Sequence, residues 1–352
     1  MALTKVQAAI WEKARALGAG EQAVALSDEM CSYLLARIVF DLGQQNKFKN
    51  LPKEAPPLFS DRPASELVVT GFDGKDLYEN IVTTISDADT YFACLAALQK
   101  ARLKYERILS TQPIPTLEQV GPRALLQYGK LSSHALVSLL FWRKWFFDID
   151  NRAGQETGYL FEPVIAYAIG GTPAPAKRSP VKRHRDKTKG RQVDCIIGKR
   201  AYELKIRVTI AASGQGRWQE ELDFPIDCRK SSYQPVLVCM DGTRNPKLDA
   251  LEAAFKKQKG DVYIGEQAWR HLESLAGDTM SKFIDRYVRG PIQSLLHEGE
   301  QPLLELRAKF GPEIIDIALG SEILHILRSP PEPTEDGEDE MPGDADAMIP
   351  GA

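Results

Sequence analysis

The run Gln234-Pro235-Val236-Leu237-Val238-Cys239-Met240 constrains the fold more than any other stretch, because it is apolar without interruption after its first residue and ends at Asp241-Gly242. A strand that lacks polar alternation is buried on both faces, and such strands belong to sheets covered on each side. The sequence that follows supplies part of the cover. Asn245-Pro246 is an N-cap and N1 pair for a helix presenting Leu248, Leu251, Ala254 and Phe255 on one face. Gly260 ends that helix, Val262-Tyr263-Ile264 offers a further short strand, and Glu266 to Leu296 reads as mostly helical. The pattern predicts an α/β core.

Upstream, Val193-Asp194-Cys195-Ile196-Ile197-Gly198-Lys199-Arg200-Ala201-Tyr202-Glu203-Leu204-Lys205 reads as two short strands joined at Gly198-Lys199. Strand residues two apart share a face, so Glu203 and Lys205 project together while Leu204 turns into a core. A hairpin brings Asp194 beside them. Two carboxylates supply hard oxygen ligands of the kind Mg2+ requires, and a neighbouring lysine can hold an attacking water or offset charge on a phosphate. A solvent-facing hairpin with a cross-strand salt bridge would carry the same three residues. The neighbourhood favours the chemical reading. Residues 177 to 191 hold eight Lys or Arg against the single acid Asp186, the densest positive patch in the chain. Such a patch suits a polyanion such as DNA, although a solvated charge run has the same composition.

The spacing D-x8-E-x-K of Asp194, Glu203 and Lys205 resembles the PD-(D/E)xK nuclease superfamily in the arrangement common among type II restriction endonucleases, with Val193 in the place of the proline. The order of acidic helix, basic loop, hairpin, polar loop and apolar strand over residues 150 to 295 carries the same resemblance. It implies a restriction-endonuclease-like core, a mixed central sheet flanked by helices, and Mg2+ as cofactor. Asp194, Glu203 and the Leu204 backbone carbonyl would then bind the metal, with Lys205 activating water. Many such enzymes carry a glutamate on the helix before the hairpin, a role that falls to Glu162, with Glu156 second; Glu162 could instead cap a helix starting at Pro163. The resemblance further implies double-stranded DNA cut at a short specific sequence, a homodimer, a separately encoded DNA methyltransferase and a bacterial cytoplasm. A structure-specific repair nuclease and a non-catalytic DNA-binding protein on the same fold are the alternatives.

Contacts to DNA are expected from Lys182, Arg183, His184, Arg185, Lys187, Lys189 and Arg191 of the basic loop. After Lys205 the strand is expected to continue through Ile206, Val208 and Ile210 into a glycine-bearing loop, Ser213 to Glu220. There Gln215, Arg217 and Gln219 have side chains that match adenine and guanine edges, while Trp218 packs beneath.

The remaining sequence sets the frame. Residues 1 to 150 read as a mainly helical N-terminal domain, 151 to 295 as the nuclease core, 296 to 328 as a C-terminal helical segment and 329 to 352 as a disordered acidic tail. The clearest N-terminal helices are Met1 to Leu17, Ser27 to Leu42, Ala88 to Leu109 and Leu125 to Asp148. The apolar piece ALVSLLFWRKWFF, residues 135 to 147, is interrupted by Arg143-Lys144, far short of the roughly 20 residues a membrane span needs. It reads as a buried interdomain or dimer helix. The helix-like run to Ala168 is broken by Pro163 and stopped by Gly170-Gly171. Setting aside the tail's eight acids, the formal charge moves from −3 to +5, so the body is mildly basic. Five cysteines show no metal-ligand spacing and their odd number argues against a disulfide framework, and the histidines His134, His184, His271, His297 and His325 form no zinc-spaced pair. No phosphate-binding P-loop or dinucleotide fingerprint is present. The N-terminus lacks a signal-type apolar core, so export is not expected.

Overall fold

A computed structural model of the protein describes residues 3–18, 22–207, 215–299 and 301–329, and of residues 215–217 the backbone alone. The helices of the first half are α1 (Lys5–Arg15), α2 (Asp28–Asp41), α3 (Gly74–Thr84), α4 (Ala88–Thr111), α5 (Leu117–Val120) and α6 (Ser133–Ala168). Their starts follow from capping chemistry. Thr4 and Gln7 close a capping box on α1, and Ser27, Asp73 and Ser132 accept from backbone amides at the starts of α2, α3 and α6.

Helix α6 corrects one expectation. Pro163 does not break it: the helix runs for 36 residues with the proline inside. Proline removes a single backbone bond, and the buried Val164, Ile165, Ala166 and Ala168 hold the turns beyond it against the core. No helix starts at Pro163 for Glu162 to cap. The glycine stop is as expected. Gly171 has no room for a side chain, since a Cβ there would lie 2.1 Å from the Cys195 sulfur.

Beyond α6 come β1 (Thr172–Ala174), β2 (Val193–Ile197), β3 (Arg200–Lys205), α7 (Gln215–Lys230), β4 (Gln234–Cys239), α8 (Pro246–Lys257), β5 (Asp261–Ile264) and α9 (Glu266–Ile284). The five strands form one mixed sheet in the order β1-β2-β3-β4-β5. β1, β2 and β3 are antiparallel neighbours, whereas β3, β4 and β5 run parallel. The apolar run of β4 is buried on both faces as its composition requires. Val236 and Val238 pack with Tyr202, Leu204, Ile165 and the helical first half, while Leu237 and Cys239 pack with Phe224, Cys228, Leu251 and Phe255 of α7 and α8. This is the expected α/β core, a mixed sheet flanked by helices. The division expected after residue 150 falls inside α6, and one apolar cluster joins Tyr33 and Phe92 to Leu204 and Phe283 across it.

Three further expectations are corrected. Strand β3 ends at Lys205, before Ile206; Val208 and Ile210 lie outside the described residues. Residues 215 to 220 open α7 instead of continuing a loop, because Gln219-Glu220-Glu221-Leu222 are strong helix formers and Phe224 and Cys228 give them a buried stripe. The C-terminal segment is also not helical throughout. After the π-helical turn Asp285–Arg289 and α10 (Gly290–Glu298), the strands β6 (Leu306–Phe310), β7 (Ile314–Leu319) and β8 (Glu322–Leu327) form a separate antiparallel sheet. Ile315 and Ile317 alternate with Ile314 and Asp316, a period-2 pattern with β-branched residues on both sides of the Gly320-Ser321 turn. This sheet buries Ile315, Ile317 and Ile326 against Trp145 and Ile149 and so covers the Trp142, Trp145 and Phe146 part of the apolar piece in α6, whose Leu139 and Phe147 remain exposed. Among the described residues no helix is long and apolar enough to cross a membrane. The acidic tail, apart from Ser329, lies outside the described residues.

One buried carboxylate ties the helical half together. Asp41 of α2, fully shielded from solvent, pairs with Arg37 at 2.7 Å and Arg286 at 3.0 Å. It also accepts from Tyr91 at 3.2 Å and from Tyr287. Its removal would strand two guanidinium groups and two phenols. Asp41→Ala is therefore expected to cost about 3–5 kcal/mol of stability, read by urea unfolding, and a loss below about 1 kcal/mol would mean that these groups re-pair without it.

Candidate active site

The β2–β3 hairpin turns at Gly198, whose φ of 58° suits a residue without a Cβ. Its register pairs Ile197 with Arg200, Ile196 with Ala201 and Cys195 with Tyr202. One further step sets Asp194 opposite Glu203. The Leu204 amide donates to Asp194 Oδ2 at 2.8 Å, fixing that carboxylate across the hairpin. The Leu204 side chain is buried in the core under one face of the sheet, while Glu203 and Lys205 project from the other and pair at 2.7 Å. Asp194 and Glu203 are each only 8% exposed.

Crowding of acid in this shielded place perturbs Asp194, Glu162, Lys205 and Glu221. Burial pushes the Asp194 carboxyl well above its ordinary range, and the charges of Glu203 and Glu162 push further; Lys205 and the Leu204 amide pull the other way. Glu162 of α6 is raised to about 7, first by burial, with Lys205 opposing and Glu203 adding to the shift. Burial works against the charge on Lys205, yet Glu203, Asp194 and Glu221 outweigh it and hold its proton more tightly. Glu221 of α7 is raised by burial, with Lys205 opposing. Four acids thus surround one ammonium. A divalent cation is the natural relief for that excess, and Asp194 and Glu203 are hard oxygen donors on one face. Among the described residues no three His, Cys, Asp or Glu side chains converge as a ready-made metal shell; the Lys205 ammonium is bonded to Glu203 instead.

The other expected site residues divide. Glu156 pairs with Lys104 at 2.8 Å and braces α6 against α4, so Glu162 alone of the two helix glutamates interacts with the hairpin. The basic loop lies along an acidic stripe of α7 formed by Glu220, Asp223 and Asp227, which share a helix face. Arg183 pairs with Glu220 at 2.6 Å and Arg185 with Asp223 at 2.9 Å. His184 meets Asp227 through both its ring and its backbone amide at 2.6 Å. Arg191 is buried, donates to the Glu220 carbonyl and stands 3.9 Å from Asp227. Lys182 and Lys187 are exposed, as is Lys189, which pairs with Asp186 at 3.4 Å. Gln219 donates to Asp223 at 3.0 Å from α7. The side chains of Gln215 and Arg217 lie outside the described residues. Trp218 packs on the core beneath α7, as expected. Sequence reading missed Glu221, which directly follows the expected loop Ser213 to Glu220; helical periodicity with Phe224 and Cys228 was the signal for it.

A mixed sheet between helical layers, with an acid pair and lysine on its central hairpin, defines the restriction-endonuclease-like nuclease class. The model of the ApaLI-like restriction endonuclease family matches residues 64–289, and the chain belongs to that family; by class it is an endodeoxyribonuclease. It is 48% identical over 268 residues to the type II restriction enzyme ApaLI of Acetobacter pasteurianus, covering 72% of each protein. No solved structure matches.

Titration of the site carries a stability signature. An unfolded glutamate titrates near 4.5 and folded Glu162 near 7, so between these values the folded protein keeps a proton that the unfolded chain has lost. Stability then falls as pH rises through this window and levels off above it, and Asp194 contributes with the same sign. Glu162→Gln is expected to flatten that decline in metal-free melting curves; an unchanged slope would place the titration elsewhere.

Proposed function

We propose that this protein is a Mg2+-dependent type II endonuclease that hydrolyses phosphodiester bonds of double-stranded DNA at a specific short sequence. The observation that carries the reading is the buried hairpin on which Asp194 faces Glu203 while Lys205 shares the Glu203 face. Asp194, Glu203 and the Leu204 carbonyl would hold the ion. Mg2+, when bound, supplies positive charge that stabilises the phosphate as it is attacked. Lys205 holds and orients the attacking water through its ammonium donors at the shielded end of β3, the central strand of the sheet. Glu162, poised near neutrality, orients a second water. DNA is drawn by the basic body and met by the exposed Lys182, Lys187 and Lys189, the last paired within the loop to Asp186, whereas Arg183, His184, Arg185 and Arg191 have carboxylate partners on α7 and serve first to dock the loop there. Base contacts fall to Gln215 and Arg217, with Gln219 available on release from Asp223. Palindromic cleavage calls for a homodimer, and protection of host DNA in a bacterial cytoplasm calls for a separate methyltransferase.

The direct test incubates the protein with unmethylated phage-length duplex DNA, with and without Mg2+, beside Lys205→Ala. Discrete Mg2+-dependent bands that vanish in the variant, with DNA binding retained, are expected. A smear would indicate a structure-selective or nonspecific nuclease, and intact DNA across Mg2+ and Mn2+ would indicate a binding protein in which Lys205 and Glu203 are only an ion pair. Replacing Lys182, Lys187 and Lys189 together by Gln should weaken binding to all sequences and reduce the log–log salt slope by about 2 to 3. An unchanged slope would remove these lysines from the interface.

A further inference from the structure

The sheet-facing stripe of α7 carries an acid that neither the motif nor the basic loop employs. Phe224 and Cys228 are fully buried against Ala201, Leu237 and Cys239. Glu221 lies three residues before Phe224 and seven before Cys228, so it continues the same stripe. Its neighbours point elsewhere: Glu220 takes Arg183, and Gln219 takes Asp223. On the sheet, Glu203 and Lys205 follow Ala201 at two-residue steps and share its face. Helix stripe and strand face therefore meet in one layer, which Glu221 enters from α7 and Glu203 and Lys205 from β3. The charges of Lys205 and Glu221 act on each other, and Glu203, Lys247 and Arg191 complete the charged surroundings of Glu221. Glu221 is half-buried, so this interaction is partly shielded from water.

The arrangement answers a difficulty in the site. The Lys205 ammonium is bonded to Glu203 Oε1 at 2.7 Å, the carboxylate that would serve a cation. Once Glu203 serves a cation, the lysine loses that acceptor and is repelled by a like charge. An ammonium has three donors, and an acceptor on the helix side would hold it in place. We propose that Glu221 is a positioning residue for Lys205, accepting its ammonium from α7 while Glu203 engages the metal; the inference rests on the nuclease reading above.

Glu221→Gln and Glu221→Asp test it, measured beside Lys205→Ala and the double variant Lys205→Ala/Glu221→Gln. Three readouts are taken: single-turnover cleavage of duplex DNA, Mn2+ binding by calorimetry without DNA, and melting temperature. Glu221→Gln is expected to lower the maximal single-turnover rate about 10- to 100-fold, the range typical of outer partners at metal sites, with the DNA dependence of that rate, the Mn2+ affinity and the melting temperature unchanged. Glu221→Asp should recover part of the rate, and the double variant should be no slower than Lys205→Ala. An unchanged rate in both Glu221 variants, an additive loss in the double variant, or a fall in Mn2+ affinity matching the fall in rate would overturn the proposal. Full activity in Lys205→Ala would instead overturn the nuclease assignment on which it rests, whatever Glu221 does.

Discussion

Enclosing several carboxylates around a single ammonium is the constraint to which the rest of the molecule answers. Asp194, Glu203 and Glu162 repel one another in a place water barely reaches, and such a cluster disperses unless the backbone forbids it. Here the backbone does. The hairpin register sets Asp194 against Glu203, and the Leu204 amide clamps Asp194 from across the strand pair. Leu204 is itself anchored in the core beneath the sheet. The cost of gathering the acids is met by apolar burial on both faces of β4.

The scaffold extends well beyond the hairpin. α6 reaches from the small C-terminal sheet, through Trp145, to the hairpin core, through Val164 and Ile165. A single rigid helix thus delivers Glu162 to the acid cluster while its other end supports a separate layer. Asp41 performs a comparable task by joining α2 and α4 to the turn after α9. The family match beginning at residue 64 fits this picture, because the helices before the hairpin share one apolar cluster with the sheet.

The basic loop changes meaning once its partners are visible. Eight cations in 15 residues read as a phosphate-binding surface, yet Arg183, His184, Arg185 and Arg191 are engaged by Glu220, Asp223 and Asp227. Charge-assisted bonds at 2.6 Å to 2.9 Å lower the free charge that this loop offers DNA. They also fasten α7 beside the hairpin, and that places Glu221 on the sheet side of the helix.

Much of the molecule was legible in the order of its residues. The apolar run of β4, the Asn245-Pro246 helix start and the alternation around Asp194, Glu203 and Lys205 each follow from local periodicity, which any chain must obey to bury its apolar atoms. Glu162 was preferred to Glu156 from the sequence, and packing adds that Lys104 occupies the latter. Tertiary structure alone decided the rest. Pro163 stays helical because burial on both sides outweighs one lost hydrogen bond. Where the strands of residues 306–327 dock was decided by the apolar surface of Trp145 and Ile149, although their period-2 pattern is local. The basic run is paired because an acidic helix stripe lies against it, 29 or more residues away in sequence. Local sequence encodes periodicity and caps; it does not encode which distant surface will be there to meet them.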